Sequence, residues 1–181
     1  MLSDVAQDRA QDELLSLGIS EESDFFSHAN TRAAEYAEQT AAEMVSDIDE
    51  TTRNMLRVKI AAGLRAGKMR EDIIDSIMDA NIFSEKRATL IADTEVAMAN
   101  GHGALAGYKE AKAAGVKLKK IWVIADGDCC DECDENAEAG AIDVEDEFPS
   151  GDDCETAHPG CRCHTESVVE DDDKEDGDDG E

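Results

Sequence analysis

Cys130 and Cys133 form a C-x-x-C pair, and after 24 intervening residues the chain reads His158-Pro159-Gly160-Cys161-Arg162-Cys163. Two short donor pairs on separate turns are what a tetrahedral ion needs. Each turn presents two soft donors from a small stretch of backbone, and the metal ties the turns together. Five residues, Cys130, Cys133, His158, Cys161 and Cys163, compete for four places. The favoured set is Cys130, Cys133 and His158 with Cys163 or Cys161. Cys129, Cys154 and His164 rank second, and Cys154 stands in an acidic stretch.

A redox pair is the competing reading of Cys130/Cys133. It requires the motif at a helix start after a strand. The strand is expected, but Asp134, Glu135 and Glu138 disfavour a nearby thiolate and no βαβ pattern surrounds the pair. Nor does the cluster read as catalytic. His164-Thr165-Glu166 gives an H-x-E, but it follows the C-x-x-C instead of preceding it, and no proline stands before Cys130, so the deaminase order is absent. There is no H-E-x-x-H. With protein donors for every position, the expected cofactor is a structural zinc that folds a segment too polar to fold alone, and no enzyme activity is expected.

The elements that must position these donors are mainly helical. Between Thr31 and Gly67, Ala33, Ala37, Ala41, Met44, Val45, Ile48, Met55, Leu56, Ile60 and Leu64 recur at three- and four-residue steps. Gly67 is a stop signal, and a short helix carrying Ile73, Ile74, Ile77 and Met78 ends at Asn81. Ser84 caps a long alanine-rich helix. Gly101, Gly103 and Gly107 imply a kink, a close helix contact, or a restart at Ala104, and Gly115 closes the helical part. Asp93 and Glu95, two residues apart, do not share a face and make a poor acid/base pair. His102 reads as a packing or surface residue. Leu118 to Ile124 is the one clear strand, with a second near Ala141 to Val144.

The fold class is therefore α+β, a mainly helical N-terminal part with a small zinc-stapled, β-containing C-terminal part. Residues 1–30 read as an acidic, weakly ordered arm. Residues 31–115 are helical, residues 116–166 hold the strand and the Cys/His cluster, and residues 167–181 read as a disordered acidic tail. Net charge is -28, with 45 acids against 17 bases. This argues against direct nucleic-acid binding, which needs clustered Lys and Arg, and against anionic membranes. A basic protein partner suits it better. No apolar run approaches the ~20 residues that span a bilayer, and the expected setting is a reducing cytoplasm.

The order of these features resembles the Mu F-like head morphogenesis proteins, minor head proteins of tailed phages. The resemblance covers roughly residues 32–166. It rests on the helical run from Tyr36-Ala37 through Ile48 to Leu64 and Gly67. It also rests on Arg87-Ala88-Thr89-Leu90-Ile91-Ala92-Asp93-Thr94-Glu95 with Ala97 and Asn100-Gly101. The C-terminal part supplies Lys120-Ile121-Trp122, Asp126, Cys130-Asp131-Glu132-Cys133 and Gly140, then Phe148-Pro149 and the H-P-G-C-R-C ending from His158 to Cys163. Many members carry arginine at the position of Asp93. The resemblance implies a role in capsid and procapsid assembly at the portal vertex, with portal, capsid or scaffold proteins as partners. It places the protein in the virion or procapsid interior after synthesis in the bacterial host, and it brings no catalytic residues. We read Arg87 and Glu95 as framework residues, paired between helix and strand. The alternative is a cytosolic zinc-ribbon-like interaction module whose acidic tail recruits a basic partner; it shares the metal but does not need the Arg87 to Glu95 pattern.

Overall fold

The computed structural model describes residues 25–125 and 129–169. Of the arm expected over residues 1–30, residues 1–24 lie outside these bounds, as do Asp126 and the tail beyond residue 169. Four helices come first: α1 Phe25–Thr40, α2 Glu50–Arg65, α3 Arg70–Met78 and α4 Glu85–Ala113. Then follow β1 Leu118–Val123, α5 Asp131–Glu138, β2 Ile142–Asp143 and β3 His164–Val169. The strands form an antiparallel sheet in the order β2-β1-β3. The fold class is α+β, as the sequence implied. Among the described residues, no helix is long and apolar enough to cross a membrane.

Each helix begins and ends where its sequence supplies the partners. The Asp49 side chain accepts from the Thr52 N–H and caps α2, and the Ser84 hydroxyl does the same for Arg87 at the start of α4. Gly67 and Gly115 follow α2 and α4 at φ +60 and +97, backbone that L side chains rarely adopt. The helical pattern divides more than the periodicity implied. α1 begins at Phe25, ahead of Thr31, and the chain turns between α1 and α2 through Ala42 and Asp47, both at positive φ. That turn is held from α2, where Arg53 donates to the Ala42 carbonyl and Arg57 to the Ala41 carbonyl at 3.1 Å. These arginines satisfy carbonyls that the end of a helix leaves open.

The helical core is lean because alanine lines it. Ala33, Ala34, Ala37 and Ala41 face Leu56, Ile60 and Ala61 of α2 and Ala88, Ala92 and Ala99 of α4. Small side chains let backbones approach closely. Gly63 shows how closely, since a Cβ there would stand 2.6 Å from Ile73 Cγ1. The larger anchors, Leu56, Ile60, Ile73 and Ile77, are almost fully buried, and each contributes about 1.5–3 kcal/mol. α4 runs unbroken through Gly101, Gly103 and Gly107, all buried, with no restart at Ala104. Gly101 serves close contact instead, since a Cβ there would lie 2.7 Å from Glu155 Cδ.

The sheet lies against α4. Leu118, Lys120 and Trp122 alternate on the buried face of β1. Lys120 has no exposed surface. Its ammonium donates to the Asp153 carbonyl at 2.6 Å and sits 5.1 Å from the Phe148 ring centroid. Desolvation holds its pKa below the ordinary lysine value. Phe148 also packs edge-on to Trp122. Ser167 to Val169, assigned to the tail from the sequence, pair with Lys120 to Leu118 in β3. The acidic residues after them masked the Val168-Val169 signal.

Candidate metal centre

The C-x-x-C stands at the start of a helix, where the sequence alone predicts a turn. Cys130 is the N-cap of α5, and Asp131, Glu132 and Asp134 fill its first turn, where the helix dipole favours acids. α5 is tied down by Asn136, which is fully buried. Its side chain donates to Ser150 Oγ at 2.8 Å and accepts from the Ser150 N–H at 3.0 Å. That pairing fixes the loop carrying Phe148 against the helix carrying Cys133.

The second donor turn is fixed by α4. Thr94 is buried, and its hydroxyl oxygen accepts from the Gly160 N–H at 3.0 Å while donating to the Leu90 carbonyl at 2.8 Å. Gly160 adopts φ +79, and a Cβ there would lie 3.3 Å from Leu90 Cδ1. The Cys161 N–H closes the turn on the His158 carbonyl at 3.1 Å. From the other side, Glu155 accepts from the N–H and hydroxyl of Thr165, at 2.9 and 2.6 Å, holding β3 just beyond Cys163. Burial pushes the Glu155 carboxyl above its ordinary pKa.

These supports bring the donors together as two triads. Cys130, Cys133 and His158 have ligand atoms within 4.8 Å of one another, and so do Cys129, Cys133 and Cys163. Cys133, fully buried, belongs to both. Cys161 Sγ lies 3.6 Å from Cys133 Sγ, and Cys129 Sγ lies 3.0 Å from Cys163 Sγ. Trp122 and Phe148 cover the cluster. All five candidates from the sequence lie in this cluster, and so does Cys129, which the sequence reading ranked second. An adjacent Cys129-Cys130 pair was the signal available for it. The other second-rank candidates lie elsewhere. Cys154 is buried with Leu105, Leu118 and Val144, and His164 pairs with Glu166 at 2.9 Å.

The donors fit a metal ion. They are soft, convergent and largely buried, and the acids of the first turn of α5 favour a cation beside them. The strand, C-x-x-C and helix order of a redox pair is present, though in an antiparallel sheet. The Cys133 N–H holds the Cys130 thiol below its ordinary pKa, and burial pushes Cys133 up. The further thiols and the imidazole crowding this pair set it apart from an isolated dithiol and suit shared coordination. The Cys129 thiol, hydrogen-bonded to Cys163, is pushed up to about 11.

A family model described as Phage Mu protein F like protein matches residues 54–166. The chain belongs to this family. The match runs from α2 to β3, so it includes both the long helix and every donor of the cluster. Searches of curated proteins and of solved structures gave no match. Membership in this phage Mu F-like family points to phage head morphogenesis, to interaction with other phage structural proteins and to a place in the virion.

The family motif on α4 acquires physical roles here. Asp93 takes a bidentate contact from Arg70, at 2.5 and 2.9 Å, linking α4 to α3. Thr94 holds the donor turn. Glu95 is buried on the opposite side near Ala42, Arg53 and Arg57, and its Oε1 has no hydrogen-bond partner among the described residues. The expected pairing of Arg87 with Glu95 is not formed. Arg87, eight residues earlier on α4, turns to the Ser46 carbonyl at 2.5 Å and over the Phe83 ring. His102 stacks on Tyr36 at 3.8 Å between centroids and has a packing role.

Proposed function

We propose that this chain is a non-enzymatic minor head protein acting in capsid and procapsid assembly at the portal vertex, with zinc as a structural ion. The observation that carries the reading is the union, within one family match, of the helical layer and a donor cluster anchored to it through Thr94. Thiolate and imidazole donors in this arrangement suit zinc above harder ions. Donors outnumber the places of one tetrahedral ion, which leaves no open position for a substrate. The portal, capsid or scaffold protein it meets would offer basic groups to a chain of net charge -28.

The test is co-purification of the full chain with the portal and major capsid proteins of the same phage, at moderate salt. Portal protein is expected to co-elute, and disrupting the cluster by Cys133→Ser is expected to abolish this. Failure to bind portal, capsid or scaffold protein, with the zinc retained, would favour the free-standing interaction module.

A further inference from the structure

The donor cluster has a feature that a single zinc ion leaves unexplained. Among the described residues, its ligand atoms group as two triads that share Cys133. One triad, Cys130, Cys133 and His158, joins the start of α5 to the H-P-G-C turn. The other, Cys129, Cys133 and Cys163, joins the residue before the α5 N-cap to the residue before β3. A tetrahedral site with metal–sulfur bonds of ~2.3 Å has donors roughly 3.8 Å apart along every edge. Each triad, held within 4.8 Å, is close to one face of such a tetrahedron.

We infer that the cluster is binuclear, holding two divalent, thiolate-seeking ions of the zinc type with Cys133 as a bridging thiolate. The inference rests on the structural-metal reading proposed above and extends it from one ion to two. The donor count agrees. Two tetrahedral ions have eight places, and six residues fill them when two thiolates bridge. Cys133 is one bridge because it belongs to both triads. Cys161 stands in neither triad, and with its sulfur 3.6 Å from that of Cys133 it is the donor that must move in to form the second bridge when the ions bind. One ion then takes Cys129 and Cys163 as its own ligands, and the second takes Cys130 and His158. Binding displaces the five thiol protons, and two divalent cations against five thiolates and a neutral imidazole leave one net negative charge on the filled cluster. With a single ion, at least two of the six donors would stay unligated beside it.

The experiment is metal content per chain for the full protein purified under reducing conditions with zinc supplied, followed by cadmium-113 exchange and NMR. Two ions per chain are expected, with two cadmium resonances coupled to each other through shared sulfur. Cys129→Ser is expected to bring the content down to one ion and to remove the coupling. One ion per chain in the parent protein would overturn the binuclear assignment while leaving the structural-metal reading standing. Two uncoupled resonances would overturn the bridge. No bound metal at all would overturn both readings. Far-ultraviolet circular dichroism of Cys129→Ser provides the folding control, because α1 to α4 have a core of their own.

Discussion

The contact between Thr94 and Gly160 links the family's helix motif to the donor cluster, and it can be broken with little change of shape. Thr94→Val keeps the outline of the side chain and removes the oxygen that accepts from the Gly160 N–H at 3.0 Å. The Leu90 carbonyl that loses its hydroxyl donor keeps its helical N–H partner, so that loss is minor. Gly160 is itself exposed and the contact only part-buried, so water can take over the freed N–H, and the loss is that of an ordinary hydrogen bond, about 0.5–1.5 kcal/mol. If the whole loss falls on the metal-bound state, affinity for the ion weakens roughly 2- to 13-fold. The assay is competition with a chromophoric chelator, run beside denaturant unfolding. Ile77→Val is the matched control, a trim of the helical core that costs about 0.5–1.5 kcal/mol and is expected to leave metal affinity unchanged. Thr94→Val losing stability while binding metal as tightly as Ile77→Val would refute the argument. Thr94 would then be a packing residue of α4 and no part of the site's support.

Three further outcomes are expected. Gly101→Ala forces a Cβ to within 2.7 Å of Glu155 Cδ, and overpacking of this kind costs about 1–3 kcal/mol, read as a lower denaturation midpoint. Cys154→Ala leaves metal content unchanged, because Cys154 packs with Leu105, Leu118 and Val144 apart from the donors; a loss of metal would contradict the separation of the two clusters. Glu95→Gln tests a buried carboxyl. Burial raises its folded pKa above the unfolded value, so the folded state holds the proton more tightly. Its charged form then costs stability as pH rises through and above the unfolded carboxylate value. Denaturation curves should place the variant above the parent at neutral pH and bring the two together in acid. A parent stabilised by rising pH relative to Glu95→Gln would show that Arg53 and Arg57 outweigh desolvation.

What the sequence disclosed, and what it hid, follows the range of the forces involved. Caps and stops are local, so Ser84, Gly67 and Gly115 were readable, and β1 stood out as an apolar run in a polar neighbourhood. The Cys/His candidates stood out because ligand chemistry restricts residue type and spacing, and the structure brings Cys130, Cys133, His158, Cys161 and Cys163 into one cluster. α5 was hidden by its own acids, which resemble solvated loop until the dipole at a helix N-terminus explains them. Lys120 reads as a surface lysine by type, and only its place between Leu118 and Trp122 on the buried face of β1 turns it inward. Thr94 and Asn136 work through partners 66 and 14 residues away. No local pattern announces such a contact, since a threonine in a helix and an asparagine near a cysteine are ordinary until the fold supplies the other half.

Those long-range contacts also explain why a lean protein needs the cluster. α1 to α4 bury their own alanine-lined core, but the segment after β1 has few large apolar residues of its own. Trp122, Phe148 and the cysteines around them make up one small buried cluster, and Val144 and Cys154 pack in another with Leu105 and Leu118. Asn136, Lys120 and Glu155 satisfy its loops without adding much apolar area. A metal that ties the start of α5 to the turn before β3 supplies the cross-link such a segment lacks. Because that turn also hangs on Thr94, the proposed metal binding is expected to couple ordering of the cluster to docking of the sheet on α4. A partner that recognises the sheet and α4 together would then meet a surface that exists only in the metal-bound protein, and loss of metal would appear as loss of binding before it appeared as loss of the helices.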